Sequence, residues 1–313
     1  MTRRGCSRAV PIAVAAALVL AACGAPAPAV DDDVAGMVAI GGDRSIFLDC
    51  RGAGSPTVVL VSGTGGAADE WTVVVDPADP AAAPAPSPSA VLPTVASFTR
   101  VCAYDRPGTV LADDRLSPST PVPQPTSAGA SAEDLRAVLT AAGESGPYVL
   151  VGASWGAMIT ALYARVHGGQ VAGLVTVDGA SVFLRETMTS AQWSDWMRTI
   201  AATVDPARGI EVPDYPAAVD EILAAPPLPQ PLPAAVLTSD HPWDLQVGDT
   251  GSTWPAWLAA QDRLADELRA RHVTDTDSGH GIAVEKPRLV AGAVRAVVDQ
   301  ARGGGGSGVR NGS

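Results

Sequence analysis

At 313 residues the chain can hold one catalytic-size domain with additions, and it is short for three domains. Hydrophobic residues at 47% and charged residues at 17% exclude wholesale disorder. A net charge of −12, with Lys286 as the only lysine, excludes a surface built for nucleic acid or any other polyanion.

At the amino terminus, Arg3, Arg4 and Arg8 precede an uncharged apolar run from Ala9 to Ala22, followed by Cys23. This order predicts a signal peptide over residues 1–22, since the run is shorter than the roughly 20 residues a permanent span needs. Leu20-Ala21-Ala22-Cys23 resembles the bacterial lipobox, which implies a lipidated Cys23 in the cell envelope; an ordinary secretory signal with an incidental cysteine is the alternative. The acidic surface would not adhere to anionic lipid, so membrane attachment is expected through the acyl anchor only. Residues 23–34 read as a Pro-rich tether. Cys50 and Cys102 then remain, either as a disulfide pair suited to an exported protein or as two buried thiols.

Two strand-like runs, Met37–Ile40 and Ser45–Cys50, flank a Gly41-Gly42-Asp43 turn. Thr57–Val61 is wholly apolar or β-branched, as expected of a strand buried on both faces, and Arg100–Tyr104 reads the same way. Between them, the proline-rich stretch 76–93 is expected to be a surface insertion. A helix is expected from Ser131, as its N-cap, to Ala142. Tyr148–Val151, Trp155–Val166 and Gly173–Val177 then form strand, helix and strand, a βαβ unit that requires a parallel sheet. Residues 181–233 break the rhythm with aromatics and a proline run. A strand at Ala235–Thr238, a helix at Trp257–Ala270, a short strand at His272–Thr276 and a helix at Pro287–Gln300 complete the domain. The last helix carries an apolar stripe of Leu289, Val290, Ala293, Val294, Val297 and Val298. Residues 303–313 read as a flexible tail.

The sharpest motif is Gly152-Ala153-Ser154-Trp155-Gly156, a G-x-S-x-G that follows an apolar strand and opens a helix. A serine at such a turn is exposed and strained, and the adjoining helix terminus favours developing negative charge, so Ser154 is the candidate nucleophile. Ser62-Gly63-Thr64-Gly65-Gly66 follows the third strand, and the N–H groups of Thr64 and Trp155 are the candidate oxyanion pair. Of four histidines, His280 in Asp277-Ser278-Gly279-His280-Gly281 is the candidate base, with His241 second. No metal motif, nucleotide loop or other cofactor signature is present in the sequence.

Together with Arg51–Leu60, Arg100–Gly108, Tyr148–Gly152 and Ser278–His280, these motifs make the chain resemble the α/β-hydrolase superfamily, in particular its bacterial exported esterase- and aminopeptidase-like members. The resemblance implies an α/β fold with a mostly parallel eight-stranded sheet, helices on both faces and a cap insertion. The core would comprise residues 35–180 and 234–302, and the cap residues 181–233. The second and fourth strands of that fold are neighbours, which implies a Cys50–Cys102 disulfide. The triad acid is expected at Asp178, ending the strand after the nucleophile helix, with Asp240 as the alternate and Asp244 behind it. Two departures, Thr109-Val110-Leu111 and Trp155, are expected to reshape the pocket.

The expectation is therefore a serine hydrolase of ester or amide bonds in a small, largely apolar substrate, working through an acyl-enzyme without cofactor. Two alternatives stand beside it. An aminopeptidase would hold the substrate ammonium with acids among Glu186, Asp195, Asp214, Asp220 and Glu221. A lipid-anchored binding protein would use the scaffold without chemistry.

Overall fold

The computed structural model describes Met1 and residues 32–203, 208–243 and 250–304. The expected signal peptide, Cys23, most of the tether, Asp244 and the tail beyond residue 304 lie outside the described residues.

The apolar runs become the strands of one sheet: β1 (Val34–Gly41), β2 (Arg44–Arg51), β3 (Thr57–Val61), β4 (Val101–Tyr104), β5 (Tyr148–Ala153), β6 (Val171–Val177), β7 (Ala234–Leu237) and β8 (Arg271–Val273). Their order is β1-β2-β4-β3-β5-β6-β7-β8. β1 with β2 and β2 with β4 are antiparallel, and all other pairs are parallel. β3 and β5 are buried along their whole length, whereas the edge strand β1 alternates between half-buried and exposed positions. Strand side chains therefore point into two cores. Val59, Val61 and Leu150 face one side, against α2 (Ala128–Ala141), α3 (Trp155–Val166) and α7 (Trp254–Leu268). Val58, Leu60, Val149 and Val151 face the other, against α1 (Val91–Ala96) and α9 (Pro287–Gly304).

Between β6 and β7 the chain leaves the sheet and forms α4 (Leu184–Thr187), α5 (Ser190–Thr203) and α6 (Tyr215–Ala224). α6 packs on α3 and α2. A short helix, α8 (Ile282–Glu285), precedes α9. Cys50 and Cys102 are directly opposed across β2 and β4 and are joined by a disulfide. No helix among the described residues is long and apolar enough to cross a membrane.

Several local expectations need correction. α2 starts three residues before Ser131, because Ser127 Oγ accepts from the N–H of Ala130 (3.2 Å) and caps the helix earlier; Ser131 is buried inside it. The proline-rich stretch is not all surface. Ala85–Pro86 pairs with Val73–Val74, and the buried Val91 and Leu92 open α1, packing its apolar face on the core. β1 begins inside the expected tether, at Val34, and α9 runs into the expected tail as far as Gly304.

Candidate active site

Ser154 occupies the junction of β5 and α3 at φ +48°, ψ −120°, a region costly to any residue with a Cβ. Two features allow the tight turn. A Cβ on Gly156 would overlap the Val61 carbonyl, and one on Gly152 would lie 2.6 Å from the Ala157 Cα, so only glycine lets the helix pass this close to the strands. The turn is also tied down. Ser154 N–H donates to the Val177 carbonyl (3.2 Å), and its own carbonyl accepts from Ala157 (3.0 Å) and Ala180 (2.9 Å). Trp155 is the first residue of α3, so its N–H has no acceptor within the helix.

His280 lies in the loop after β8, and its Nδ1 is 2.7 Å from Asp178 Oδ2. Asp178 follows β6 at φ +41°, is fully buried, and uses its other oxygen to accept from Ser239 N–H (3.0 Å) and Trp257 Nε1–H (3.0 Å). A carboxylate so held keeps the proton of the ring on Nδ1 and leaves Nε2 free to accept one. The Trp243 indole lies over the imidazole at 4.0 Å between centroids, and Trp257 meets it edge-on at 5.7 Å.

Asp240, the alternate acid, does not face His280. Its Oδ1 accepts from Ser278 N–H (2.9 Å) and Thr276 Oγ1 (3.2 Å), bracing the loop that carries His280. Slight burial pushes that carboxyl up, but the donors from Ser278, Asp277 and Thr276 outweigh it and hold the group below the usual carboxylate range. On the other side of the loop, Glu285 Oε2 accepts from Ser278 Oγ (2.8 Å) and Gly279 N–H (3.1 Å). The remaining histidines are engaged elsewhere: His241 with Asp277 (3.3 Å), His272 with Thr238 (2.8 Å) and His167 with Glu133 (3.3 Å).

Ser154, His280, Gly63 and Thr64 line one cavity of about 570 Å³. Its walls are largely apolar and aromatic, with Trp196, Tyr215, Trp243, Trp257, Ile200, Val110 and Val284. Thr109-Val110-Leu111 reaches this wall through Val110. Trp155 does not: its ring is wholly buried in the core under α6, edge-on to Tyr215 at 4.8 Å, which corrects the expectation that it shapes the pocket. The five acids considered as ammonium ligands are also placed elsewhere. Glu186 pairs with Arg263 (2.6 Å), Asp195 with Arg198, and Asp220 with Arg185 (2.7 Å). Asp214 caps α6 through Ala217 N–H (3.0 Å), and Glu221 accepts from Gly129 N–H (2.8 Å). Among the described residues, the acids that do line the cavity are Asp69 and Glu70. Burial pushes the Glu70 carboxyl up.

The turn that follows β3 is fixed from beneath by a buried ion pair. Arg106 donates to the carbonyls of Ser62 (3.0 Å) and Gly63 (2.6 Å) and to both carboxylate oxygens of Glu211 (2.6 and 2.8 Å). Glu211 in turn accepts from Gly65 N–H (2.9 Å). Both side chains are 1% exposed. Burial works against the Arg106 charge, but the Glu211 carboxylate outweighs it and raises the guanidinium above its ordinary value. Sequence reasoning missed Glu211, Tyr215, Trp243 and Glu285; the only available signal was the Asp105-Arg106-Pro107-Gly108 segment, whose arginine needs a buried counter-charge.

Comparison with known proteins agrees with this architecture. A family model described as the alpha/beta hydrolase fold matches residues 56–210. The chain is 39% identical over 92 residues to an uncharacterised protein of Schizosaccharomyces pombe, covering 29% of this chain and 16% of that protein. Among solved structures, an esterase from Thermogutta terrifontis aligns with a TM-score of 0.52 and 18% identity, covering 86% of this chain and 99% of that one. A carboxylesterase structure from Nitrososphaera gargenis aligns with a TM-score of 0.56 and 15% identity, covering 88% and 100%. At such identities these two likenesses concern the fold alone. With the matched family model and this strand order, the chain belongs to the α/β-hydrolase superfamily.

Proposed function

We propose that the protein is a serine hydrolase cleaving ester or amide bonds of a small, largely apolar acyl substrate. The observation that carries this reading is the 2.7 Å contact of His280 with the buried Asp178, on a cavity that also holds the strained Ser154. In the proposed reaction, Ser154 Oγ attacks the substrate carbonyl while His280 Nε2 takes its proton, and the imidazolium formed is stabilised by Asp178. The N–H groups of Thr64 and Trp155 receive the carbonyl oxygen as it becomes negative. His280 returns the proton to the leaving group, and water releases the acyl group from Ser154 by the same steps in reverse. Residues 181–233 act as a cap, supplying Trp196, Ile200 and Tyr215 to the apolar wall. The aminopeptidase alternative loses the five carboxylates named for it, which are engaged elsewhere, and would have to rely on Asp69 and Glu70.

The chain is further proposed to be exported and acylated at Cys23, on the strength of its amino-terminal sequence. Mass spectrometry of the mature protein should find the acyl groups on Cys23, and an unmodified chain starting later would refute that part.

The test of the enzymatic reading is fluorophosphonate labelling beside turnover of p-nitrophenyl butyrate. Ser154→Ala should abolish the label and lower kcat by about 10⁶, as loss of a nucleophile does in a well-studied serine protease. A label on another residue, or activity kept within tenfold, would refute it.

A further inference from the structure

Tyr215 opens α6 at the edge of the cavity, and no step of the proposed reaction uses it. The residue is 3% exposed, with its ring wedged edge-on against Trp155 (4.8 Å between centroids) and against Trp196 (4.7 Å). Its phenol lines the same cavity as Thr64 and Ser154, whose side chains lie close enough to pull its ionisation down against the larger effect of burial. A phenol on the cavity that holds both the nucleophile and the turn after β3 is within reach of the place where charge develops during attack on a carbonyl.

Its position is imposed by the chain around it. Asp214 caps α6, and its own N–H donates to the Thr126 carbonyl (2.9 Å). Thr126 N–H donates to Val212 O (2.9 Å), and Glu211 N–H donates to Gly108 O (2.8 Å). Together with the Arg106–Glu211 ion pair, these bonds seat residues 211–215 on the core, so the hydroxyl is held before any substrate arrives.

Building on the serine hydrolase reading, we infer that Tyr215 is a third oxyanion donor: its O–H joins the amides of Thr64 and Trp155 in stabilising the tetrahedral intermediate. As Ser154 Oγ bonds to the carbonyl carbon, the C=O π pair moves onto oxygen and the serine proton passes to His280. Tyr215 points its hydrogen at the new anion and keeps its own proton throughout. Burial favours this role, pushing the phenol up to about 12, so that it stays a donor at any working pH. Thr64 Oγ1 can donate to the phenol oxygen, which turns the phenolic hydrogen towards Ser154. The aryl ring supplies rigidity: one rotating C–O bond is the only freedom left to the donor.

The test is Tyr215→Phe, which removes one oxygen and keeps the ring contacts. With p-nitrophenyl butyrate, kcat should fall about 100-fold while KM stays within about threefold, as for loss of one oxyanion donor elsewhere. The Ki of a trifluoromethyl ketone, which forms a hemiketal anion on the serine, should rise by the same factor as kcat/KM falls. Unchanged or increased kcat, or a rise in KM alone, overturns the inference, because a wall residue would affect ground-state binding only. Should Tyr215→Phe not fold, Thr64→Val, at an exposed position, takes its place. It should lower kcat and weaken the ketone in the same direction by a smaller factor, and no change in either overturns the inference. Fluorophosphonate labelling separates the two levels of the argument. If wild type carries no label on Ser154, the serine hydrolase reading fails; if wild type is labelled and Tyr215→Phe turns over normally, only the role of Tyr215 fails.

Discussion

Asp178→Asn is the perturbation whose effect the structure defines most closely. The native carboxylate accepts from three donors: Ser239 N–H and Trp257 Nε1–H at one oxygen, and His280 Nδ1 at the other. A carboxamide can satisfy either side but not both. With its oxygen towards Ser239 and Trp257, two bonds survive and the NH₂ faces the imidazole, which must then present Nδ1 as an acceptor and carry its proton on Nε2. That tautomer cannot take a proton from Ser154. The flipped amide would set NH₂ against two N–H donors in a fully buried site, so the first orientation wins. The expected loss in kcat is about 10⁴, equivalent to about 5.4 kcal/mol of transition-state stabilisation. Because two of three hydrogen bonds persist, stability should fall by only about 1–3 kcal/mol, and the protein should remain folded for assay. Turnover of p-nitrophenyl butyrate gives kcat, and urea unfolding monitored by tryptophan fluorescence gives the stability. Asp240→Asn is the companion, since that side chain braces a loop without touching the imidazole. The reasoning is wrong if Asp178→Asn keeps more than about one per cent of kcat, or if Asp240→Asn loses as much.

Three further outcomes are expected. Glu211→Gln leaves Arg106 buried without its counter-charge and should cost about 3–5 kcal/mol in chemical unfolding; a loss below about 1 kcal/mol would show that the pair is dispensable. Removing the disulfide by Cys50→Ala with Cys102→Ala frees a loop with a sequence separation of 52 residues and should lower unfolding stability by about 4 kcal/mol, and an unchanged denaturation midpoint would contradict this. Asp240 is held below its ordinary value in the folded protein, so its stabilisation is complete above the unfolded carboxylate range and is lost as pH falls through the folded value. The gap in midpoint between wild type and Asp240→Asn should therefore be wider at pH 6 than at about pH 3, and a gap that grows on acidification would reverse the assignment.

Much of the architecture was legible because it rests on short-range chemistry. Thr57–Val61 and Tyr148–Val151 are uninterrupted apolar runs that only a doubly covered strand can bury, and a serine between glycines after such a strand can hardly avoid a tight turn. What stayed open between alternatives, or escaped, was decided by three-dimensional direction. Asp178 and Asp240 each follow a strand end, and spacing does not separate them. Their roles diverge because Asp178 adopts a positive φ that turns its carboxylate inward, while Asp240 folds back onto Ser278. Ser127 and Ser131 are equally good caps by composition; the earlier one prevails because the apolar face extends to Ala128, which is buried. The cavity's acids were sought in the proline- and aromatic-rich excursion, where acidic residues are frequent, yet arginines and N–H groups of the excursion, of α2 and of α7 engage them. Asp69 and Glu70 line the cavity instead, from the short 3₁₀ helix Ala68–Thr72 just after the glycine turn, which drew attention only to its backbone.

The Arg106–Glu211 pair bears on how this site could be reshaped. An engineer seeking room for bulkier acyl groups would be tempted to shorten the long excursion after β6. Any deletion that takes Glu211 with it would strand a buried guanidinium and unfasten the glycine turn on which the proposed oxyanion recognition depends. Widening is better sought at Ile200, which contributes to the wall, than at Trp196, whose ring wedges Tyr215 in place. On the proposed reading, Ile200 and Glu211 of one segment bear on different properties, the first on the fit of the acyl group and the second on the turn beneath the nucleophile.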